Sequence, residues 1–319
     1  MPENRLSALP GRPAVIGAGQ PASAESWIGR IKAFVTLTKP RIIELLLITT
    51  LPTMIVAARG LPGAGLMVAT LLGGALAAGG ANAINMYVDR DIDAVMKRTA
   101  HRPLVTGAVT PTQALIFAVA LEVVAFVELW AAVNLLAAVL AVSATAFYVF
   151  VYTLWLKRLS RQNIVIGGAA GAVPVLVGWA AVRNSLGLAP IVLFLVIFVW
   201  TPPHFWALAV RYRDDYAAAN VPMLPAVASL RATARQILLY TVALWAASLA
   251  FADVAAMGLI YWASAIVLGA VFVWYAVRLL QESTGPRATT AAMGLFTYSI
   301  SYVTLLFSAI AVDQLVRHV

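Results

Sequence analysis

The sequence predicts an all-α polytopic membrane protein of nine transmembrane helices, and three observations predict it. Of its 319 residues 62% are hydrophobic and 11% charged, against roughly 45–50% and about 25% in an ordinary soluble domain. That excludes a soluble globular enzyme. The apolar residues come in long uninterrupted runs instead of amphipathic stripes, which is the membrane signature. The net charge of +9 is also lopsided. With the N-terminus inside, nineteen Lys and Arg fall on the inner side of the runs and only Arg59, Arg183 and Arg317 outside, the bias that holds basic loops in the cytoplasm.

Taken in order, residues 1–26 are rich in Pro, Ala, Gly and Ser and lack the continuous apolar stretch of a signal peptide. They read as a disordered tail ahead of a membrane domain at 27–319. Spans of the required length follow at about 42–58, 64–88, 112–132, 134–156, 163–182, 187–209, 236–252, 256–279 and 293–315. Only Ala131 to Asn134 separates the third from the fourth, so a very tight turn is expected there. The loops after spans two and six, VDRDIDAVMKRTAHRPL and VRYRDDYAAANVPMLP, share a layout. Four spans apart, they suggest two four-helix halves plus one extra helix. With no cysteine there is no disulfide or thiolate chemistry to consider. The basic residues line a membrane surface and form no nucleic-acid module.

Span two carries the chemistry. Its small residues, among them Gly73, Gly74, Gly79 and Gly80, permit close helix approach in lipid, and it runs on into Asn85, Asp89, Asp91 and Asp93. Asn85, Asp89 and Asp93 are spaced i, i+4, i+8 and share one helix face, whereas Asp91 lies about 200° round from Asp89. Like charges at i, i+4 repel, so the arrangement makes sense if a cation bridges them. Mg2+, a hard ion held by one or two carboxylates plus phosphate oxygens, is the natural candidate. The plainer reading is a solvated cap where the helix leaves the membrane. Against it stand Lys97, Arg98 and Arg102 close by, with Arg211 and Arg213 in the matching loop. Acid and base at one membrane face suit a metal-bridged diphosphate whose remaining oxygens take Arg and Lys donors, and whose apolar remainder is a lipid tail.

The stretch NMYVDRDIDAVMKRTAHRPL resembles the first aspartate motif of the UbiA superfamily of intramembrane prenyltransferases, and WTPPHFWALAVRYRDDYAAANVPMLP resembles the second-loop region of its protohaem IX farnesyltransferase (haem O synthase) branch. LTKPRII, Tyr152 with Lys157-Arg158, and GGAAGAVPVLVGW extend the likeness over most of the chain beyond the tail. The resemblance implies a helical bundle around a central cavity open to the cytoplasmic side of a bacterial-type inner membrane, with the C-terminus on the opposite side. It implies transfer of the farnesyl group of farnesyl diphosphate to a vinyl group of haem b, with Mg2+ as cofactor, membrane lipid as surroundings and a haem A synthase as downstream partner. Residue by residue, Asn85, Asp89 and Asp93 match the metal and catalytic motif, and Lys157, Arg98 and Arg102 match basic positions near the diphosphate. Arg158, Arg211 and Arg41 join them as expected diphosphate contacts, and His204 and Arg213 as expected haem contacts. The sequence departs from the family where a second Asp-x-x-x-Asp is usual: here it is Tyr212-Arg213-Asp214-Asp215-Tyr216. That puts direct ligation there in doubt, although Asp214 or Asp215 could support a metal through water.

Two readings stay open for His204 in Thr201-Pro-Pro-His-Phe-Trp206: haem contact, or a buried histidine bonded to a carbonyl freed by a proline that disrupts the helix. Lys39, Arg41 and Glu44 are expected at a polar cavity mouth, and Glu122 in mid-span needs a partner the sequence does not name. His101 reads equally well as a surface residue. Trp130, Trp155, Trp179, Trp200, Trp262 and Trp274 are mostly expected as interfacial or lipid-facing residues. The rival readings are a prenyltransferase for another aromatic or tetrapyrrole acceptor and, in another class, a secondary transporter. A carrier would place its charges near midplane, not at the inner helix ends.

Overall fold

A computed structural model describes residues 27–318, so the expected tail at 1–26 lies outside the described residues. The elements are α1 (Trp27–Thr38), α2 (Pro40–Ala58), α3 (Ala64–Val88), α4 (Arg90–Val95), α5 (Pro103–Thr106), α6 (Pro111–Ala132) and α7 (Leu135–Ala146). A π-helical segment (Phe147–Leu156) continues α7 into α8 (Lys157–Leu159). Then come α9 (Asn163–Arg183), α10 (Leu188–Arg211), α11 (Arg213–Ala218), α12 (Leu224–Val227), α13 (Leu230–Val254), α14 (Leu259–Glu282) and α15 (Ala288–His318). Among the described residues, eight helical stretches are long and apolar enough to cross a membrane; α2 contributes the shorter apolar stretch Leu47–Ala58.

Helix contacts follow a pattern that recurs in two halves of the chain. In the first, α3 packs on α6; in the second, α10 packs on α13; α2 and α9 join the halves, and α15 closes against α2, α10 and α14. Each matched loop folds into two short helices, α4 and α5 after α3, α11 and α12 after α10. The turn between α6 and α7 is as tight as expected. Asn134 accepts the Ala137 N–H at 2.9 Å and donates to the Ala180 carbonyl at 2.8 Å, so one amide caps α7 and ties it to α9.

Three expectations need correcting. Ahead of the first expected span stands an additional helix, α1, which is too short to span and carries Arg30 and Lys32. It buries Ala33 and Leu37 and leaves Trp27, Ile28, Ile31 and Val35 exposed, the pattern of a helix lying along a membrane surface. Pro202 and Pro203 sit inside a continuous α10 instead of breaking it, and the Thr201 hydroxyl donates back to the Ile197 carbonyl at 2.9 Å. Packing against α9, α13 and α15 supports the helix where two of its N–H groups are missing. Trp200 is buried, not interfacial, because its indole N–H finds the Ser299 carbonyl at 2.9 Å; Trp130, Trp155 and Trp274 are exposed as expected.

Close approach of α3 and α6 depends on small residues. A Cβ at Gly80 would lie 2.6 Å from Glu122 Oε1 and 3.0 Å from the Ala118 carbonyl oxygen. The partner sought for Glu122 is Thr145, whose hydroxyl donates to Oε1 at 3.1 Å. Gly80→Val is therefore expected to destabilise by about 1–3 kcal/mol through overpacking, seen as a lower thermal unfolding midpoint in detergent. An unchanged midpoint would show that α6 can yield.

Candidate active site

The site begins where α3 ends. Asp89 is the one residue between α3 and α4, but its N–H still donates to the Asn85 carbonyl at 2.9 Å, and the Asp93 N–H donates to the Asp89 carbonyl at 2.8 Å. Two i to i+4 bonds thus cross the junction although the Asp89 backbone (φ −84°, ψ 4°) leaves the helix there, and Asn85, Asp89 and Asp93 keep to one face as helical phase predicts. That face points inward: their relative exposures are 4%, 0% and 2%. A solvated cap is excluded for these three. Asp91, on the other side, is exposed and holds Arg158 through two bonds of 2.7 Å.

Buried carboxylates require partners; Lys157 and Arg102 bond them directly, and Lys39 and Arg98 stand nearby. Lys157 at the start of α8 donates to Asp89 Oδ2. Arg102 Nη1 donates to Asp93 Oδ2 at 2.5 Å. Lys39, between α1 and α2, donates to Asn85 Oδ1 at 2.9 Å; this fixes the amide so that its Nδ2 donates to Asp89 Oδ2 at 2.7 Å and to Thr153 Oγ1 at 3.2 Å. Arg98 stands over the Tyr212 ring at 5.4 Å near Tyr216, and its own N–H donates to Asp215 Oδ2 at 3.1 Å. Burial first, then the nearby Arg102 and Lys157 charges, lower the Lys39 ammonium from its ordinary value to about 7, despite the opposing pull of Asp89 and Asp93. Lys39, Arg102 and Lys157 thus stand close enough for each to feel the others' charge.

The π-helical segment supplies the opposite wall. Its wider turn lets the Lys157 N–H reach back to the Tyr152 carbonyl and the Thr153 hydroxyl to the Tyr148 carbonyl. Tyr148 and Tyr152 stack at 5.4 Å. A Cβ at Gly167 of α9 would overlap the Tyr152 ring, so this glycine makes room for it. Two buried polar atoms in the cluster lack partners: Asp89 Oδ1 and Arg98 Nε. Each wants a ligand of opposite sign.

The structure therefore gathers Asn85, Asp89, Asp93, Arg98, Arg102 and Lys157. It does not gather the others. Arg158 is held by Asp91 at the rim, Arg41 is exposed, and Arg211 is exposed with its guanidinium over Tyr212 at 5.9 Å. Arg213 and Asp214 pair with each other at 3.6 Å in solvent, and no third carboxylate or imidazole forms a metal cluster with Asp89 and Asp93 among the described residues. His101 is exposed, as is Glu44. His204 is buried at the α10–α15 seam, where Nδ1 meets Ser299 Oγ at 2.7 Å and the ring stacks on Trp200 at 4.3 Å. Its partner is a hydroxyl, not a carbonyl freed by proline. Site residues not singled out from sequence are Thr153, Tyr148 and Tyr216, which depend on a π-helix and a loop fold that periodicity does not reveal.

Asp91 serves as a contrast. The hydrogen bond from Arg158 holds its carboxyl at about 2, below the ordinary value of 3.8. The stability this contributes is present above about pH 4 and is lost as pH falls through about 2. Both partners are exposed, so Asp91→Asn is expected to cost less than about 1 kcal/mol at neutral pH and to leave turnover near wild type. A large activity loss in a steady-state assay would place the rim pair inside the reaction.

Comparison with known proteins follows the same lines. Residues 46–300 match the UbiA prenyltransferase family. The chain is 51% identical to a protoheme IX farnesyltransferase of Renibacterium salmoninarum, covering 98% of each chain. It is similar in fold to digeranylgeranylglyceryl phosphate synthase, with a TM-score of 0.72 at 16% identity over 89% of this chain and 98% of that one. It is also similar to a UbiA homologue of Archaeoglobus fulgidus bound to GPP and Mg2+, with a TM-score of 0.60 at 16% identity over 88% and 99%.

Proposed function

Because the chain belongs to the UbiA prenyltransferase family, we propose that it transfers the farnesyl group of farnesyl diphosphate to a vinyl group of haem b. The observation that carries this is the crowding of Lys39, Arg98, Arg102 and Lys157 around two buried carboxylates. Such a set accepts an oxygen-rich anion together with a divalent cation. Mg2+ fits the donors: Asp89 Oδ1 is buried without a partner, and Asp93 and the Asn85 amide add hard oxygens on the same face. When bound, the ion would neutralise charge on the diphosphate.

The chain's own groups do the rest. Arg98 Nε, lacking an acceptor, and the Lys39 and Lys157 ammoniums donate to diphosphate oxygens, favouring departure as negative charge develops there. The C–O bond to the farnesyl carbon breaks, the vinyl carbon forms the new C–C bond, and water adds to the resulting cation with loss of a proton. The stacked rings of Tyr148 and Tyr152 border the cluster and present π faces suited to allylic charge. His204, stacked on Trp200 and tilted against Phe296, supports an acceptor-binding role at the α10–α15 seam.

The protein is integral to a membrane. We place it in a bacterial inner membrane with α4, α5, α11 and α12 on the cytoplasmic side, since basic residues concentrate there, and supplying a haem A synthase. The test is incubation of the purified protein with haem b, farnesyl diphosphate and Mg2+, with and without EDTA, and mass analysis of the porphyrin. A hydroxyethylfarnesyl adduct that EDTA abolishes is expected. Folded protein that binds farnesyl diphosphate yet makes no adduct would transfer the proposal to another acceptor.

A further inference from the structure

One difference between the two halves concerns α1. In the first, α1 lies on α3 and α5, and Ala33 and Leu37 are buried with Met86 and Leu104 and with Ala114 and Ala118 of α6. Phe34 meets Phe117 edge-on at 5.1 Å. The corresponding place in the second half, over α10, α12 and α13, has no such helix, because only Ser160 to Gln162 separate α8 from α9. What remains there is a groove of ≈ 170 Å³, walled by Trp206, Leu224 and Ala232 and flanked by exposed Arg161, Gln162 and Gln236.

The groove carries two marks of a ligand. Trp206 is only 1% exposed and its ring is held T-shaped against Tyr240 at 5.5 Å, yet its indole N–H meets no acceptor. A buried indole N–H is ordinarily satisfied. The charge lining the groove is also of one sign: Arg161 borders it, no acid does, and Arg231 and Arg235 are exposed on the opening turns of α13 beside it in sequence. A fixed donor, a guanidinium and two carboxamides against an apolar wall suit an anionic oxygen group on an apolar body. The groove lies where membrane-spanning α9 and α13 begin, the level at which lipid headgroups sit.

We propose that this groove binds the headgroup of an anionic membrane phospholipid, the phosphate accepting from Arg161 and from the Trp206 indole and the glycerol portion resting on Leu224 and Ala232. The bound lipid takes the place that α1 fills in the other half and ties the α8–α9 loop to α13.

The test is native mass spectrometry of the full chain, stripped of lipid in detergent and titrated with phosphatidylglycerol, phosphatidylcholine or inorganic phosphate. One phosphatidylglycerol should be retained, in preference to phosphatidylcholine. Arg161→Ala and Trp206→Phe should each weaken retention roughly tenfold, the factor that ~1.4 kcal/mol represents, with circular dichroism reporting their fold. Trp206→Phe keeps an aromatic ring in place, so it serves if Arg161→Ala does not fold. Equal retention by wild type and variants overturns the proposal, as does equal retention of the two lipids. Tight binding of inorganic phosphate alone would assign the groove to a free anion, and displacement of the lipid by stoichiometric haem b would assign it to a substrate carboxylate. Either result also overturns it.

Discussion

Asp89→Asn is expected to lower turnover by ~10²–10³-fold, the usual loss when a charged group that stabilises the reacting centre is removed. It should also lower stability, because Asp89 is fully buried and is the carboxylate partner of Lys157. Were Asp89 the solvated cap that the sequence also allows, its neutralisation would be harmless to the fold. Its burial changes that expectation: stranding a partner in a buried pair costs about 3–5 kcal/mol. The two effects can be separated. Lys157→Met added to Asp89→Asn removes the stranded ammonium and should recover most of the thermal midpoint while turnover stays low. Recovery of turnover together with stability would reduce Asp89 to a structural residue.

Lys39→Met should weaken use of farnesyl diphosphate by about 10- to 150-fold in kcat/KM, corresponding to one charge-assisted contact of ~1.5–3 kcal/mol. Lys39 occupies a left-handed backbone conformation (φ 52°, ψ 64°) immediately before Pro40, which opens α2. This corner turns the side chain from the surface helix α1 to Asn85. Removing the ammonium frees the amide to flip, so the orientation of Asn85 toward Asp89 is lost along with the charge. Steady-state kinetics at varied farnesyl diphosphate and at varied haem b give the check. A change confined to haem b would move Lys39 to the acceptor side.

Much of the fold was legible because membrane spans announce themselves by length and apolarity, and lone features such as Asn134 mark the tight turn. The face of Asn85, Asp89 and Asp93 was legible because helical phase survives the junction between α3 and α4. Partner choice was not. Lys157 and Arg158 are adjacent and chemically alike in sequence, yet one pairs with buried Asp89 and the other with exposed Asp91. The loop after α10 offers Arg211, Arg213, Asp214 and Asp215 as candidates, but it turns the first three to solvent, while Asp215 accepts the Arg98 N–H and Tyr212 lies under the Arg98 guanidinium. Surface helix α1 escaped notice because its apolar residues are too few for a span, and what it buries is decided by α3 and α5.

The π-helical segment makes the site sensitive to chain length in a way that residue identity does not capture. Its i to i+5 bonds use one more residue per closed ring than an α-helix, and this count sets which residue arrives opposite Asp89. Deleting one residue within Phe147–Leu156 would barely alter composition or mean hydropathy and would keep every charged group of the chain. It would nonetheless advance the frame, bringing Arg158 round toward the position Lys157 now holds and releasing Asp91. The segment therefore works as a gauge: sequences with the same aspartate and lysine motifs but a different number of residues between Thr145 and Lys157 should not be interchangeable in this bundle.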